Sequence, residues 1–157
     1  MAAPEHARRA VARNRKALHD YFIDERFEAG IQLAGTEVKA LREGRANIGD
    51  AYAAESSGEL WLFNAYIPEY NAANRFNHET RRPRRLLMKK RELGKLFGRT
   101  REAGITLVPL AVYFNPRGWA KVELGLARGK RQYDKRAAIK DRDWKREKER
   151  MFKTHDA

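Results

Sequence analysis

From Tyr21 the chain alternates strictly. Tyr21, Ile23, Phe27, Ala29, Ile31 and Leu33 fall on one side, and Asp24, Arg26, Glu28 and Gln32 fall on the other. A period of two over this length predicts a long, half-buried strand. Ahead of it, residues 4 to 19 read as a short basic helix closed by Asp20. Behind it, Thr36 is placed to N-cap a short helix with Val38 and Leu41 on one face, and Gly44 stops that helix at C′. Ala51 to Ala54 and Leu60 to Ile67 then read as two strands around the turn Ser56-Ser57-Gly58-Glu59.

Residues 68 to 82 have no clear period and are rich in Asn, which predicts a loop. Pro83 suits the first turn of a helix. After it Leu86, Leu87, Leu93, Leu96 and Phe97 recur at helical spacing against Arg84, Arg85, Lys89, Lys90 and Arg91, with Gly98 and Gly104 bracketing the end. Ile105 to Phe114 and Trp119 to Ala127 form the clearest hairpin, joined by Asn115-Pro116-Arg117-Gly118. So many short antiparallel strands in one small unit expose edges unless the sheet closes. The expected fold is mainly β with helices: an OB-fold-like closed antiparallel barrel with short flanking helices and a basic C-terminal tail. The expected divisions are a flexible basic N-terminus over 1–13, the barrel over 14–128 and the tail over 129–157.

The chain has 157 residues, 42% of them hydrophobic, and a formal net charge of +13. A core is affordable at that composition, and the excess of charge belongs to the surface, where it calls for a polyanionic partner. No apolar run approaches the roughly 20 residues of a membrane span, so nucleic acid is favoured over a membrane. No cysteine is present, which excludes disulfides, thiolate zinc sites and cysteine nucleophiles. A cytoplasmic location is expected. The N-terminus is Arg- and Ala-rich like a mitochondrial presequence, but it carries Glu5 and lacks the apolar core of a signal peptide.

No catalytic constellation assembles. His6, His19, His78 and His155 are scattered, and no cofactor motif is present. Asp141 and Asp143 form a D-x-D that a two-metal nuclease could use, but within a run of Lys and Arg it reads as charge balance on a solvated helix. The positive signal is basic residues with interleaved aromatics, in two clusters: Arg81 to Arg91, and the tail. Glu28 stands out as an acid on the polar face of a strand in a basic protein. Spacing favours a salt bridge with Arg26 or a neighbouring strand over an acceptor for base or ribose donors.

The tail holds helix formers throughout. On a helical wheel Tyr133, Ala137, Lys140, Trp144, Lys148 and Met151 make one thin stripe, with Phe152 beside it. Such a stripe is too narrow to dock a helix on its own barrel. A helix from Asp134 to Phe152, about 28 Å long at about 1.5 Å per residue, is expected to be nascent when free and completed by an anionic partner.

The segments ALHDYFIDERFEAGIQLAGTEVKALREGRANIGDAY, RRLLMKKREL, YFNPRGWAKVELGLARGK and GKRQYDKRAAIKDRDWKRE, in this order, resemble the SsrA-binding protein (small protein B) family, the bacterial partner of transfer-messenger RNA. The resemblance runs from Asn14 to Phe152. It implies an OB-fold adaptor without enzymatic activity or cofactor. Such an adaptor binds the tRNA-like domain of transfer-messenger RNA and carries it to the A site of stalled ribosomes. It also implies a tail that is disordered when free and helical in the empty mRNA channel. The functional association it implies extends to elongation factor Tu and alanyl-tRNA synthetase.

Carried over by position, the RNA-binding residues implied are Asn14, Lys16, Glu28, Arg84, Arg85 and Leu87, so the resemblance reverses the reading of Glu28 from spacing. For the ribosome and its decoding centre it implies Gly129, Lys130 and Arg131 at the junction, Tyr133, and the motif Asp134, Lys135 and Arg136, followed by Trp144, Met151 and Phe152. One departure is Pro83, which here lies inside the Arg-rich segment, where relatives carry a proline before it. The competing classes are a basic barrel acting as general RNA-binding or ribosome-assembly protein, and a nuclease built on Asp141 and Asp143.

Overall fold

The computed structural model describes residues 10–71, 77–129, 144 and 146. Seven strands and three helices make up its body. The strands are β1 (Ala10–Arg13), β2 (Tyr21–Ile31), β3 (Tyr52–Ser56), β4 (Glu59–Phe63), β5 (Arg84–Leu87), β6 (Ile105–Phe114) and β7 (Ala120–Gly129); the helices are α1 (Arg15–Asp20), α2 (Gly35–Arg42) and α3 (Lys90–Thr100). All pairings are antiparallel, in the order β1-β6-β3-β4-β5-β2-β7, and β7 also pairs with β6. That last pairing joins the two ends of the run, so β6, β3, β4, β5, β2 and β7 form a closed ring. The expected barrel-like architecture is thus present, and closure removes the exposed edges an open sheet would carry.

The interior of the ring is filled by Leu60, Leu62, Leu86, Leu107, Val122, Leu124 and Leu126, and Leu41 of α2 and Leu96 of α3 pack against it, all of them buried. A buried leucine of this kind contributes about 1.5–3 kcal/mol. On the outside, α1 covers Val108, Leu110 and Ala127 with Ala17. Strands β6 and β7 are therefore buried on both faces, which explains their near-continuous apolar sequence. A register shift between Pro109 and Ala111 sits where proline cannot donate to the ladder.

Several local expectations hold. Ser57 and Gly58 both have positive φ, 52° and 77°, and make a tight two-residue hairpin turn. Gly44, at φ 75°, ends α2: its N–H donates to Leu41 O and the Arg45 N–H to Ala40 O, a full Schellman closure.

Three expectations are corrected. The basic helix over 4 to 19 is instead strand β1 followed by α1, residues 4 to 9 lying outside the described part. Hence Ala10–Arg13, assigned to a flexible N-terminus, pairs with β6. The N-cap of α2 is Ala34, not Thr36; Glu37 reaches back to accept from the Ala34 N–H at 2.8 Å, and Thr36 bonds His78 instead. Residues 84–87 are not the start of a helix after Pro83. They form β5, which fills the gap between β4 and β2, and the helix begins only at Lys90.

Candidate nucleic-acid interface

Strand β2 presents Arg26, Glu28 and Gly30 directly opposite Gly125, Glu123 and Lys121 of β7. Alternation puts these six positions on one face. Glu28 and Glu123 are therefore cross-strand neighbours of like charge, an unfavourable pair unless each is separately satisfied. Each is. Arg26 Nη1 lies 2.6 Å from Glu123 Oε1, and the hydroxyl of Tyr113 donates to Glu28 Oε2. Tyr113 is buried on β6 opposite Lys121, so its phenol lies on this same face and reaches across β7 to fix the Glu28 carboxylate, while Glu28 stays exposed. Burial, then the hydrogen bond to Glu28 and the charges of Glu28 and Glu123, push the Tyr113 hydroxyl well above the ordinary phenol range. It is a donor at any physiological pH. The arrangement gives a carboxylate of fixed direction with acceptor capacity left for N–H or O–H groups of a ligand.

Leu87 belongs to the same face. It sits opposite Gly30 across the β2–β5 pairing and is 46% exposed. The structure thus brings Glu28 and Leu87 together around one glycine. It does not bring the other four to that spot. Lys16 is exposed on α1, 3.5 Å from Asp50, and Arg85 is half-exposed with Nη2 3.2 Å from Glu59. Asn14 is buried. Its Oδ1 accepts from the Ala17 N–H as the N-cap of α1, and its Nδ2 donates to Ile48 O at 3.0 Å and Pro109 O at 2.9 Å.

Arg84, which the resemblance implies as an RNA-binding residue, does not reach the surface. Its side chain is fully buried, ion-paired through Nε to Glu37, and donates to Ala65 O at 2.7 Å and Thr80 O at 3.1 Å. Glu37 is buried too and also takes Arg82, whose Nε donates at 3.0 Å. Burial alone would raise the Glu37 carboxyl. The bonds from Arg82, Ala34 and Arg84, with the charge of Arg84, outweigh it and hold the group below its ordinary 4.5. The pair is a staple of β5 onto α2, with no face toward a partner.

Within the tail, Gly129 ends β7, and Trp144, 56% exposed, carries helical backbone, as does Arg146. Lys130, Arg131, Tyr133, Asp134, Lys135, Arg136, Met151 and Phe152 lie outside the described residues. So do Asp141 and Asp143. Among the described residues no group of three or more metal-ligating side chains occurs, and no helix is long and apolar enough to cross a membrane.

Residues that sequence reasoning missed are Tyr113, Glu123 and Lys121, whose roles depend on the β6–β7–β2 register, and Trp119. The Trp119 indole is 68% exposed, the largest exposure of any large hydrophobic side chain described. The sequence reading puts Trp119 at the head of the second hairpin strand, whereas β7 begins at Ala120 and leaves Trp119 just ahead of it.

The SmpB protein family matches residues 11–154 of the chain. The chain is 58% identical over 150 residues to the SsrA-binding protein of Methylobacterium radiotolerans, covering 96% of each. It is 60% identical over 147 residues to that of Methylobacterium sp. strain 4-46, covering 94% of each. With that of Novosphingobium aromaticivorans it shares 54% over 159 residues, covering 99% of each. A solved structure described as "tmRNA-SmpB: a journey to the center of the bacterial ribosome" superimposes with a TM-score of 0.66 at 52% identity, covering 76% of this chain and 83% of that one.

Proposed function

We propose, from the premise that the chain belongs to the SmpB protein family, that it is an RNA-binding adaptor of trans-translation. The barrel binds the tRNA-like domain of transfer-messenger RNA and delivers it to the A site of a stalled ribosome, and the basic tail probes the decoding centre and the empty mRNA channel. Relatives named SsrA-binding protein and a neighbour described with tmRNA on the bacterial ribosome support this reading. So does the net charge of +13, since phosphate neutralisation supplies most of the affinity for RNA.

The observation that carries it is the exposed Glu28 carboxylate held by buried Tyr113 beside Leu87. A carboxylate repels phosphates, so its place on a basic protein is explained by recognition of donors, such as base amino groups or ribose hydroxyls. Tyr113 fixes its direction before the RNA arrives, which saves ordering cost at binding. Leu87 offers apolar contact beside it. Asn14 and Arg84 act at one remove, by holding α1 and β5 in place.

The test compares binding of transfer-messenger RNA and an elongator tRNA at roughly physiological salt, by the full chain and by a chain ending at Lys130. Preference for transfer-messenger RNA by both proteins supports recognition on the barrel. Equal binding to both RNAs, lost with the tail, overturns it in favour of charge-driven RNA binding.

A further inference from the structure

Strand β7 stays paired with β2 to its last residue. Gly129 lies opposite Tyr21 and Arg128 opposite Phe22, and the basic C-terminal segment continues from there. Close by, the register shifts: Ile23 faces Ala127 and Glu25 faces Leu126, which leaves Asp24 as the extra residue of a bulge. A bulge re-aims a side chain, and this one brings Asp24 onto the end of β7, with Oδ2 2.7 Å from Arg128 Nε. We infer that Asp24 is a positioning residue that clamps the root of the C-terminal tail, so that the chain leaves the barrel from a fixed point and in a fixed direction. The inference rests on the adaptor reading above, in which the barrel delivers its RNA and the tail probes the decoding centre.

Three observations carry it. First, Asp24 and Arg128 are not a lone surface pair. Arg99 of α3 lies 3.8 Å from Asp24 through Nη2 and 3.8 Å from Glu25 through Nη1, and Lys95 Nζ lies 2.8 Å from Glu25 Oε1. An isolated exposed pair orders little, but a network of charges shared by two strands and a helix restrains each member. Leu96 anchors α3 in the core, so the network ties Arg128 to a fixed element. Second, packing ends just before the tail does. Val122, Leu124, Leu126 and Ala127 are buried, whereas Arg128 is exposed and Gly129 has no side chain to bury. Strand ends without apolar burial fray, and the ion pair acts on the residue where burial stops.

Third, the sign of the charge is informative. Asp24 and Glu25 are carboxylates on a chain of net charge +13, at the point where a basic segment departs. Carboxylates there gain nothing from phosphate, and each holds cations of its own chain. A tethered segment meets its target at an effective concentration set by how the tether is held. Loosening the root spreads the same tail over more directions without altering what the tail binds.

The chain has no cysteine, so spin labels can be placed on Ser56→Cys in the barrel and Gln132→Cys just beyond Gly129, and their distance distribution measured by pulsed EPR in the full chain. Asp24→Asn and Arg128→Gln should each broaden it. The two together should broaden it no further than Asp24→Asn alone, and Asp24→Glu should keep it near wild type. Peptide tagging on ribosomes stalled on a truncated message is then followed against the concentration of the chain bound to transfer-messenger RNA. Asp24→Asn is expected to raise the half-saturating concentration about 2- to 5-fold, while the rate at saturation and the affinity for transfer-messenger RNA are retained. An unbroadened distribution or a wild-type half-saturating concentration in Asp24→Asn overturns the clamp. Weakened binding of transfer-messenger RNA overturns it too, by placing Asp24 in recognition. The adaptor reading survives these results if the wild-type chain tags stalled peptides and a chain ending at Lys130 does not; if the shortened chain tags equally well, the role of the tail falls and the clamp falls with it.

Discussion

Glu37 and Arg84 show how far a single buried charge can determine a surface. Removing one partner of such a pair leaves the other ionised in the core, at a cost of about 3–5 kcal/mol. Glu37→Gln keeps an acceptor for the Ala34 N–H but strands the Arg84 guanidinium, so it should destabilise the fold by roughly that amount in urea unfolding. The pH dependence follows from the lowered carboxyl. The unfolded chain protonates Glu37 near 4.5 while the folded chain resists to lower pH, so in that window the unfolded state binds more protons and stability falls with acid. The gap between wild type and Glu37→Gln should be full above about pH 5 and close as pH drops through the lowered folded value. A constant gap down to low pH would mean that Glu37 is not the acid-labile group. Tyr113→Phe tests the other fixed carboxylate: loss of one hydrogen bond, worth about 0.5–1.5 kcal/mol, should weaken transfer-messenger RNA binding several-fold through a less ordered Glu28. Glu28→Gln should weaken it more.

Two elements were mistaken in the sequence for the same kind of reason: a polar residue held an interior position. In β5, Arg84 and Leu86 point inward and Arg85 and Leu87 outward, a clean period of two. With an arginine as one inward residue, the alternation disappears from a hydrophobicity reading, and the four residues merge with the helical pattern that follows. In β1 and α1, Asn14 carries the break. Its side chain caps α1 and ties it to Ile48 and Pro109, contacts 34 and 95 residues away that no local pattern contains. The long strands were legible because β2 is solvated on one face and β6–β7 carry an obvious turn. The site was only half legible. Glu28 could be seen as an exception, but its partner Tyr113 lies 85 residues off, and only register brings them together. Asn14, which the resemblance placed among the RNA-binding residues, is buried, and on the reading proposed above it acts as a brace. Asn14→Ala should therefore lower stability by about 2 kcal/mol, from the lost cap and two deserted carbonyls, in urea unfolding. At saturating folded protein its RNA affinity should drop much less than that of Glu28→Gln. Asn14→Asp, which retains the cap acceptor but turns a buried carboxylate oxygen toward the carbonyls of Ile48 and Pro109, should be no more stable than Asn14→Ala.

For the whole molecule, charge and geometry divide the work. Much of the surface charge is internally balanced on the side of β2 that faces α3: Lys95 with Glu25, Arg128 with Asp24, and Arg99 with Asp24, Glu25 and Glu102. Cations so engaged have less to gain from phosphate than Arg42 or Lys121. The salt dependence of transfer-messenger RNA binding should reveal the division, since each phosphate neutralised contributes a slope of about −0.7 to −0.9 in log K against log salt. Lys121→Gln should make the slope shallower by about that amount, and Arg42→Gln likewise, whereas Lys95→Gln should leave it nearly unchanged. Trp119→Ala and Glu28→Gln, neither of which removes a cation, should lower affinity at every salt concentration without making the slope shallower, because they remove contacts and no phosphate pairing. Titrations of these five variants from low to moderately high salt would distinguish the two classes. If instead all three cation variants flatten the slope equally, the protein binds RNA as a diffuse positive sphere, and the face around Glu28 has no privileged place in recognition.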